Sequence, residues 1–431
     1  MNKRLVKCLL AIAIMVFAQA PAWAVNNNST LVQEDVILQW NRVLMETVLT
    51  PGQHPATIMP VRSYAMMHAA MFDAVNSIDE TYTAYMTDVP GSPHASIQAA
   101  AAQAARDVLA ALYPTRVAVF NAELAISLRG IERNRAQQGI RVGEIVAERM
   151  LAARANDGWN VPPPVYTLPA TPGNWQPTPP GNAAATFTHY PSVLPFGIKS
   201  GTQFAPNAPP SMTSAQYAAD FNEVKELGSV NSATRTADQT QVARLWANIN
   251  TPTNFLLVWN NVARTVSVAR GISTVKKARL FALTNISLHD ALQTTFASKF
   301  QHGLWRPVTA IRRADEDGNA ATTPDTEWSS LVPSPPYPSY AGNMAAIGTS
   351  QATILALFFG RDDIRFEHTW AGAGGATRSY AGFGAMADEQ ARARVYGGIH
   401  FTFDNVAGQS VGTNVANYVF SKLMRPRKCV R

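Results

Sequence analysis

Apolar residues along this chain recur mostly at steps of three and four. The clearest stripe lies between 61 and 78, where Tyr64, Met67, His68, Met71, Val75 and Ile78 share one side of a 3.6-residue period. That spacing predicts an amphipathic helix in which His68 and Asp73 serve packing rather than chemistry. Val32, Val36, Trp40, Val43 and Leu44 predict an earlier helix over 31–48. Further helices are predicted over 95–112 and 116–129, parted by the Tyr113-Pro114 step, and over 138–156, stopped at Asp157-Gly158. The pattern resumes over 214–226, 237–247, 255–270 and 275–299. Met344, Ile347, Ile354, Leu355 and Phe358 mark one more helix behind a small-residue turn at 340–343.

Residues 161–211 break the pattern. They are rich in Pro, Gly, Thr and Asn, yet carry Trp175, Phe187, Tyr190 and Phe196. A flexible linker does not carry such aromatics, so this stretch reads as a packed wrap or binding loop. The whole pattern predicts an all-α, helical-bundle domain of ten or more helices, with a long irregular wrap and no convincing alternating strand. No repeat of solenoid type is present.

Composition agrees with a well-buried globular chain: 47% apolar and 15% charged residues exclude disorder. The first 24 residues read as an export leader. Lys3, Arg4 and Lys7 precede a short apolar core from Cys8 to Ala18, and Ala22-Trp23-Ala24 fits a small-x-small cleavage site. The core is too short to span a bilayer, and no later run is long enough. The expected product is residues 25–431 as a single exported domain, periplasmic or secreted, with no stable membrane span. Loss of the leader removes three of the positive charges behind the formal +7, which leaves no case for nucleic-acid binding. Cys429 is then the lone thiol, so no internal disulfide is expected.

The candidate chemistry lies between 299 and 400. Lys299, Arg306, Arg394 and His400 follow one another in that order. Pro307 pushes Arg306 out of the helical region, which sets the lysine at a helix end and the arginine just beyond it. Backbone N–H groups at the turn and helix start around Gly342 and Asn343 are donors suited to an anion. Arginine forks and a lysine charge match the oxygens of a tetrahedral oxyanion. A neutral histidine nitrogen can attack phosphorus or ligate a metal. Taken singly, each cation fits an interhelix salt bridge and His400 a core histidine; the case rests on the set.

At these residues the chain resembles the vanadium-dependent haloperoxidases and their relatives, the type 2 phosphatidic acid phosphatases and bacterial class A acid phosphatases. Lys299, Arg306 and Pro307 match the first element of their pattern; Arg394 and His400 match the last, with Ala393 where serine is usual. The likeness takes in 62–78, 281–319 and 393–412 and covers nearly the whole mature chain. It implies a vanadate cofactor held by Lys299, Arg306, Gly342, Asn343, Arg394 and His400, with phosphate able to take the same place. His400 would ligate vanadium, and Lys299, Arg394 and His400 would be catalytic. The implied substrates are hydrogen peroxide and a halide, or a phosphate ester with His400 as nucleophile.

The central motif departs from the pattern. Gly342, Asn343 and Met344 stand where Ser-Gly-His is usual, so a hydroxyl donor and the acid–base residue are missing. Three outcomes follow: a haloperoxidase with another proton source (His302 and His368 are candidates), a weakened phosphate-ester hydrolase, or a catalytically degenerate or vanadium-independent oxyanion-binding member. By the same resemblance, Tyr337 lines the substrate side or packs. The acidic run 315–319 reads as a turn, not a calcium loop.

Overall fold

The computed structural model describes residues 34–53, 58–90, 93–247 and 255–427. The leader, Cys429 and residues 31–33 of the first predicted helix lie outside them. The helices run α1 (Val36–Leu49), α2 (Val61–Asp79), α3 (Ile97–Leu112), α4 (Val117–Ser127), α5 (Arg133–Arg154), α6 (Ala215–Leu227), α7 (Ala237–Ala247), α8 (Phe255–Ala269), α9 (Thr274–His302) and α10 (Pro307–Arg312). Then come α11 (Asn343–Phe359), α12 (Phe383–Tyr396) and α13 (Thr402–Lys422). The all-α expectation holds, with one addition. Strands β1 (Phe366–Trp370) and β2 (Ala376–Tyr380) form an antiparallel hairpin pairing Phe366 with Tyr380 and Trp370 with Ala376. No described helix is long and apolar enough to cross a membrane.

Capping moves the predicted boundaries. The side chains of Asp35, Ser96 and Ser273 each accept a backbone N–H from the first turn of α1, α3 and α9. The Glu132 carboxylate does the same for Asn134 and Arg135, so α5 begins five residues earlier than its apolar stripe. Gly303 ends α9 at φ 59°, a left-handed conformation glycine adopts without a Cβ clash.

Helices α1–α5 pack as one bundle and α9, α11, α12 and α13 as another, joined chiefly where α2 lies against α9. Continuous apolar packing runs through both. The second bundle repeats the first, a relation that the helical stripes do not reveal. Gly139-x-x-Val142-Gly143-x-x-Val146-Ala147 in α5 recurs as Gly408-x-x-Val411-Gly412-x-x-Val415-Ala416 in α13. Gly139 and Gly143 press against the carbonyls of Ser96 and Ala100; Gly408 and Gly412 press against those of Gly342 and Ala346. The Ser96 N–H donates to the Arg135 carbonyl, and the Gly342 N–H to that of Asp404. Asp73 in α2 accepts the N–H groups of Tyr85, Met86 and Thr87, as Asp290 in α9 accepts those of Phe196, Gly197 and Ile198. His68 is buried and bonded to Asn41, a packing role as expected.

In this repeat Ile131 and Arg135 stand where His400 and Asp404 stand in the second copy, so the candidate chemistry belongs to the second bundle alone. Alanine at 139 or 408 would drive a Cβ into the facing carbonyl. Each change should cost about 1–3 kcal/mol. Only Gly408→Ala should also weaken anion binding, because it pushes α11 away from His400. Unfolding curves and phosphate titrations of the two variants separate these effects.

The 161–211 stretch is a packed wrap. The Trp175 N–H donates to the Gly303 carbonyl, the Trp305 N–H to Gly173, and the Thr186 N–H to Pro336. Tyr190 is fully buried against His289 and Phe296. The wrap therefore lies across the C-terminal end of α9 and the segment before α11, over the residues described next.

Candidate active site

Lys299 occupies the last turn of α9 and Arg306 follows the Gly303 turn. Pro307, the first residue of α10, holds Arg306 extended at φ −85°, ψ 155°. Arg394 occupies the last turn of α12, and His400 lies between α12 and α13. All four are buried: Lys299 and Arg306 fully, His400 at 1% exposure and Arg394 at 6%.

Their hydrogen bonds draw three segments together. Lys299 Nζ donates to the carbonyls of Ser339 (2.6 Å) and Pro338 (3.2 Å). Arg306 donates from Nε to the Tyr337 carbonyl (2.8 Å) and from Nη1 to that of Ile399 (2.8 Å). The same Nη1 lies 3.1 Å from His400 Nε2. Arg394 Nη1 donates to the Trp246 carbonyl (3.1 Å).

Two functional residues escaped the sequence reading. Asp404 is the third residue of α13, and its Oδ2 accepts the Phe401 N–H (3.1 Å), the capping geometry for a helix start. The same oxygen lies 2.9 Å from His400 Nδ1 and accepts the Ser339 hydroxyl at 2.5 Å. A carboxylate there assigns the proton to Nδ1 and leaves the Nε2 lone pair facing the guanidinium of Arg306. An acidic residue four places after His400, at the start of an apolar-periodic helix, was the available signal for Asp404. Ser339 carried none.

The electrostatics are lopsided. Among the described residues, three cations and one carboxylate share a buried space, and the cations' hydrogen bonds go to backbone carbonyls and, from Arg306, to His400 Nε2. Burial pushes Arg306 and Arg394 each down to about 10. Burial and then the two arginines hold Lys299 well below its usual value. Burial, then Arg306, Lys299 and Arg394, keep His400 neutral. Burial also raises the Asp404 carboxyl to about 6, against the pull of Ser339, Lys299 and Arg306. Among the described residues, the donors Arg306 Nη2, Arg394 Nε and Asn405 Nδ2 are buried without a partner, as are the acceptors Asp404 Oδ1 and Asn405 Oδ1. Unpaired buried donors beside uncompensated positive charge fit a tetrahedral oxyanion.

A family model described as the VCPO second helical-bundle domain matches residues 279–428, the bundle that holds all of these groups. These residues carry the helical-bundle domain of the vanadium chloroperoxidase family. A vanadium chloroperoxidase of Curvularia inaequalis is 25% identical, over 78% of this chain and 66% of that protein, so the chain spans about two thirds of that relative's length. A solved bacterial vanadium-dependent iodoperoxidase shares the fold at a TM-score of 0.77 and 22% identity, covering 91% of this chain and 96% of its own. A holo-type bacterial vanadium-dependent chloroperoxidase does so at 0.70 and 16%, covering 89% and 96%.

Against the superfamily pattern, each departure in the central motif has a local partner. The Gly342 N–H is committed to the Asp404 carbonyl at 2.7 Å, so it is not the free donor that the sequence suggested. A Cβ at 342 would meet Asn405 Oδ1 at 2.8 Å and the Asp404 carbonyl oxygen at 3.0 Å. The Asn405 amide thus fills the place of the missing serine side chain. Gly342→Ser should destabilise the chain by about 1–3 kcal/mol. Asn405→Ala in the same chain should restore most of it, which unfolding of both single variants and the double would read. Asn343 Nδ2 donates to the Tyr337 hydroxyl at 3.3 Å. Met344 is buried, its sulfur 3.9 Å from Gln390 Nε2, and Gln390 accepts the Trp259 indole N–H. The histidines considered as proton sources pack on aromatic rings: His302 edge-on to Tyr340, and His368 edge-on to Trp370. Asp317 accepts from Thr322 and Asn319 within its own turn.

Proposed function

We propose that this chain is an exported haloperoxidase-like enzyme that uses vanadate in the pocket of Lys299, Arg306, Arg394 and His400 to oxidise halide with hydrogen peroxide. The observation that carries the reading is the excess of buried positive charge around a histidine whose Nε2 lone pair is unprotonated. Vanadate bound there would supply a Lewis-acid centre that activates peroxide toward halide.

The protein's own contributions follow from its geometry. Lys299, Arg306 and Arg394 would hold the oxyanion and offset its charge. Asp404 keeps the Nδ1 proton in place, which leaves Nε2 as the ligating atom. The N–H groups opening α11 at Asn343 and Met344 add donors at a helix start. The wrap and the ring of Tyr337 cover the pocket and exclude water, which strengthens each of these interactions.

A second reading rests on the His400–Asp404 pair. A neutral imidazole backed by a carboxylate is also an activated nucleophile, which suits phosphate-ester hydrolysis. Assays of the vanadate-loaded protein with peroxide and bromide or iodide, and of the vanadate-free protein with a phosphate ester, decide between them. Peroxide-dependent halide oxidation lost in His400→Ala supports the first. Ester hydrolysis alone, inhibited by vanadate, supports the second and overturns the first.

A further inference from the structure

Met344 cannot pass a proton, and the histidines considered as substitutes pack edge-on to aromatic rings. Halide oxidation by peroxide nonetheless consumes a proton: hydrogen peroxide, halide and one proton give hypohalous acid and water. Ester hydrolysis likewise needs a proton for the departing alkoxide. The pocket must contain another group that can supply it.

The Ser339 hydroxyl is committed to Asp404, and a second hydroxyl-bearing side chain, Tyr337, lies against the pocket's cations. Lys299 Nζ lies 5.4 Å and Arg306 Cζ 5.1 Å from the centre of its ring. Phe296, at 5.1 Å edge-on, and Phe187, at 6.3 Å, clamp the same ring, and the residue is 8% exposed. The hydroxyl oxygen accepts from Asn343 Nδ2 at 3.3 Å and lies within electrostatic reach of both Arg306 and Arg394.

These neighbours are all donors. Arginine has no acceptor, and the amide N–H of Asn343 is already aimed at the phenolic oxygen. The acceptor side of the hydroxyl is therefore taken, and its own O–H must point at something else. An oxyanion drawn in by the three cations would be an acceptor placed among these donors. Asn343 stands where the superfamily pattern has glycine, so the side chain that orients Tyr337 is itself part of the departure.

We propose that the Tyr337 hydroxyl, oriented by Asn343, is the proton donor of this pocket in place of the missing histidine. Its O–H donates to an oxygen of the bound anion. Its proton passes to the oxygen that leaves as water or alcohol. Water then returns a proton to the hydroxyl. Tyr337 is in this sense a catalytic residue and Asn343 a positioning one. The inference rests on the function proposed above.

Tyr337→Phe tests it, because phenylalanine keeps the ring packing against Phe187, Phe296, Lys299 and Arg306 and removes only the hydroxyl. Inorganic phosphate, transparent in the near ultraviolet, is titrated into both proteins while the tyrosine difference spectrum is recorded. The wild type should show a perturbed tyrosine on saturation and the variant should not. Phosphate affinity should fall about tenfold, as expected for one hydrogen bond to a charged group. In the vanadate-loaded proteins, kcat for bromide oxidation should fall about a hundredfold or more, the usual size of a lost acid–base group. A variant that keeps the spectral change and oxidises bromide within about threefold of the wild type overturns the inference. A wild type that binds phosphate yet oxidises no halide overturns the function reading first, and the inference with it.

Discussion

Arg394→Met is expected to melt at a higher temperature than the wild type in anion-free buffer, and to bind orthovanadate about a hundredfold more weakly or worse. Among the described residues, Arg394 makes one hydrogen bond, to the Trp246 carbonyl, and its Nε has no partner. Burial lowers it to about 10, which corresponds to roughly 3 kcal/mol against the charged form. Methionine fills much of the same volume without charge. Replacing a buried, poorly compensated ion by an apolar side chain is commonly worth ~1–4 kcal/mol in stability, less what the freed Trp246 carbonyl costs. Saturating vanadate should reverse the order, since a ligand at a thousand times its Kd adds about 4 kcal/mol to the protein that binds it. Melting curves of both proteins, with and without orthovanadate, read both signs. A variant that melts lower without anion would mean that the three cations are already compensated.

Asp404→Asn is expected to cut turnover about 10- to 100-fold, the usual penalty for removing the group behind a ligating histidine. Phosphate affinity should change little. The carboxylate accepts from Ser339, Phe401 and His400 at one oxygen, so an amide can keep some of these contacts but not the charge that fixes the Nδ1 proton. Removing a negative charge from the pocket also favours an incoming anion, which offsets part of the lost order. Steady-state kinetics beside calorimetry should therefore show kcat falling while phosphate binding holds. Equal loss in both would make Asp404 a structural cap rather than the partner of His400.

How much of this was legible depended on the range of the interactions. The stripe over 61–78 became α2 within a residue at its C-terminal end, because local periodicity and burial agree there. The 275–299 pattern became α9, extended to His302 until Gly303 turned left-handed. Phe366 to Trp370 alternates buried and exposed, but five residues ahead of a glycine-rich turn are too few to stand out from a helical background. The Gly-x-x-Val-Gly repeat was in plain text; it went unread because its two copies sit far apart amid diverged helices, and its meaning is a close helix approach. Lys299, Arg306, Arg394 and His400 were legible from their spacing. Ser339 and Asp404 were not, since their meeting depends on how the segment before α11 folds back onto the start of α13. The same fold-back commits the Gly342 N–H to Asp404, which no reading of the motif could show.

The central claim is that the buried cations around His400 form an oxyanion site. Calorimetric titration of orthovanadate into the purified chain from Val25 onward tests it most directly, with Arg394→Met and His400→Ala alongside. Saturable one-to-one binding in the micromolar range or tighter, weakened in both variants, is the predicted result. Absence of binding heat in the wild type, or equal binding in all three proteins, would contradict it and leave the fold as the chain's sole inheritance from its superfamily.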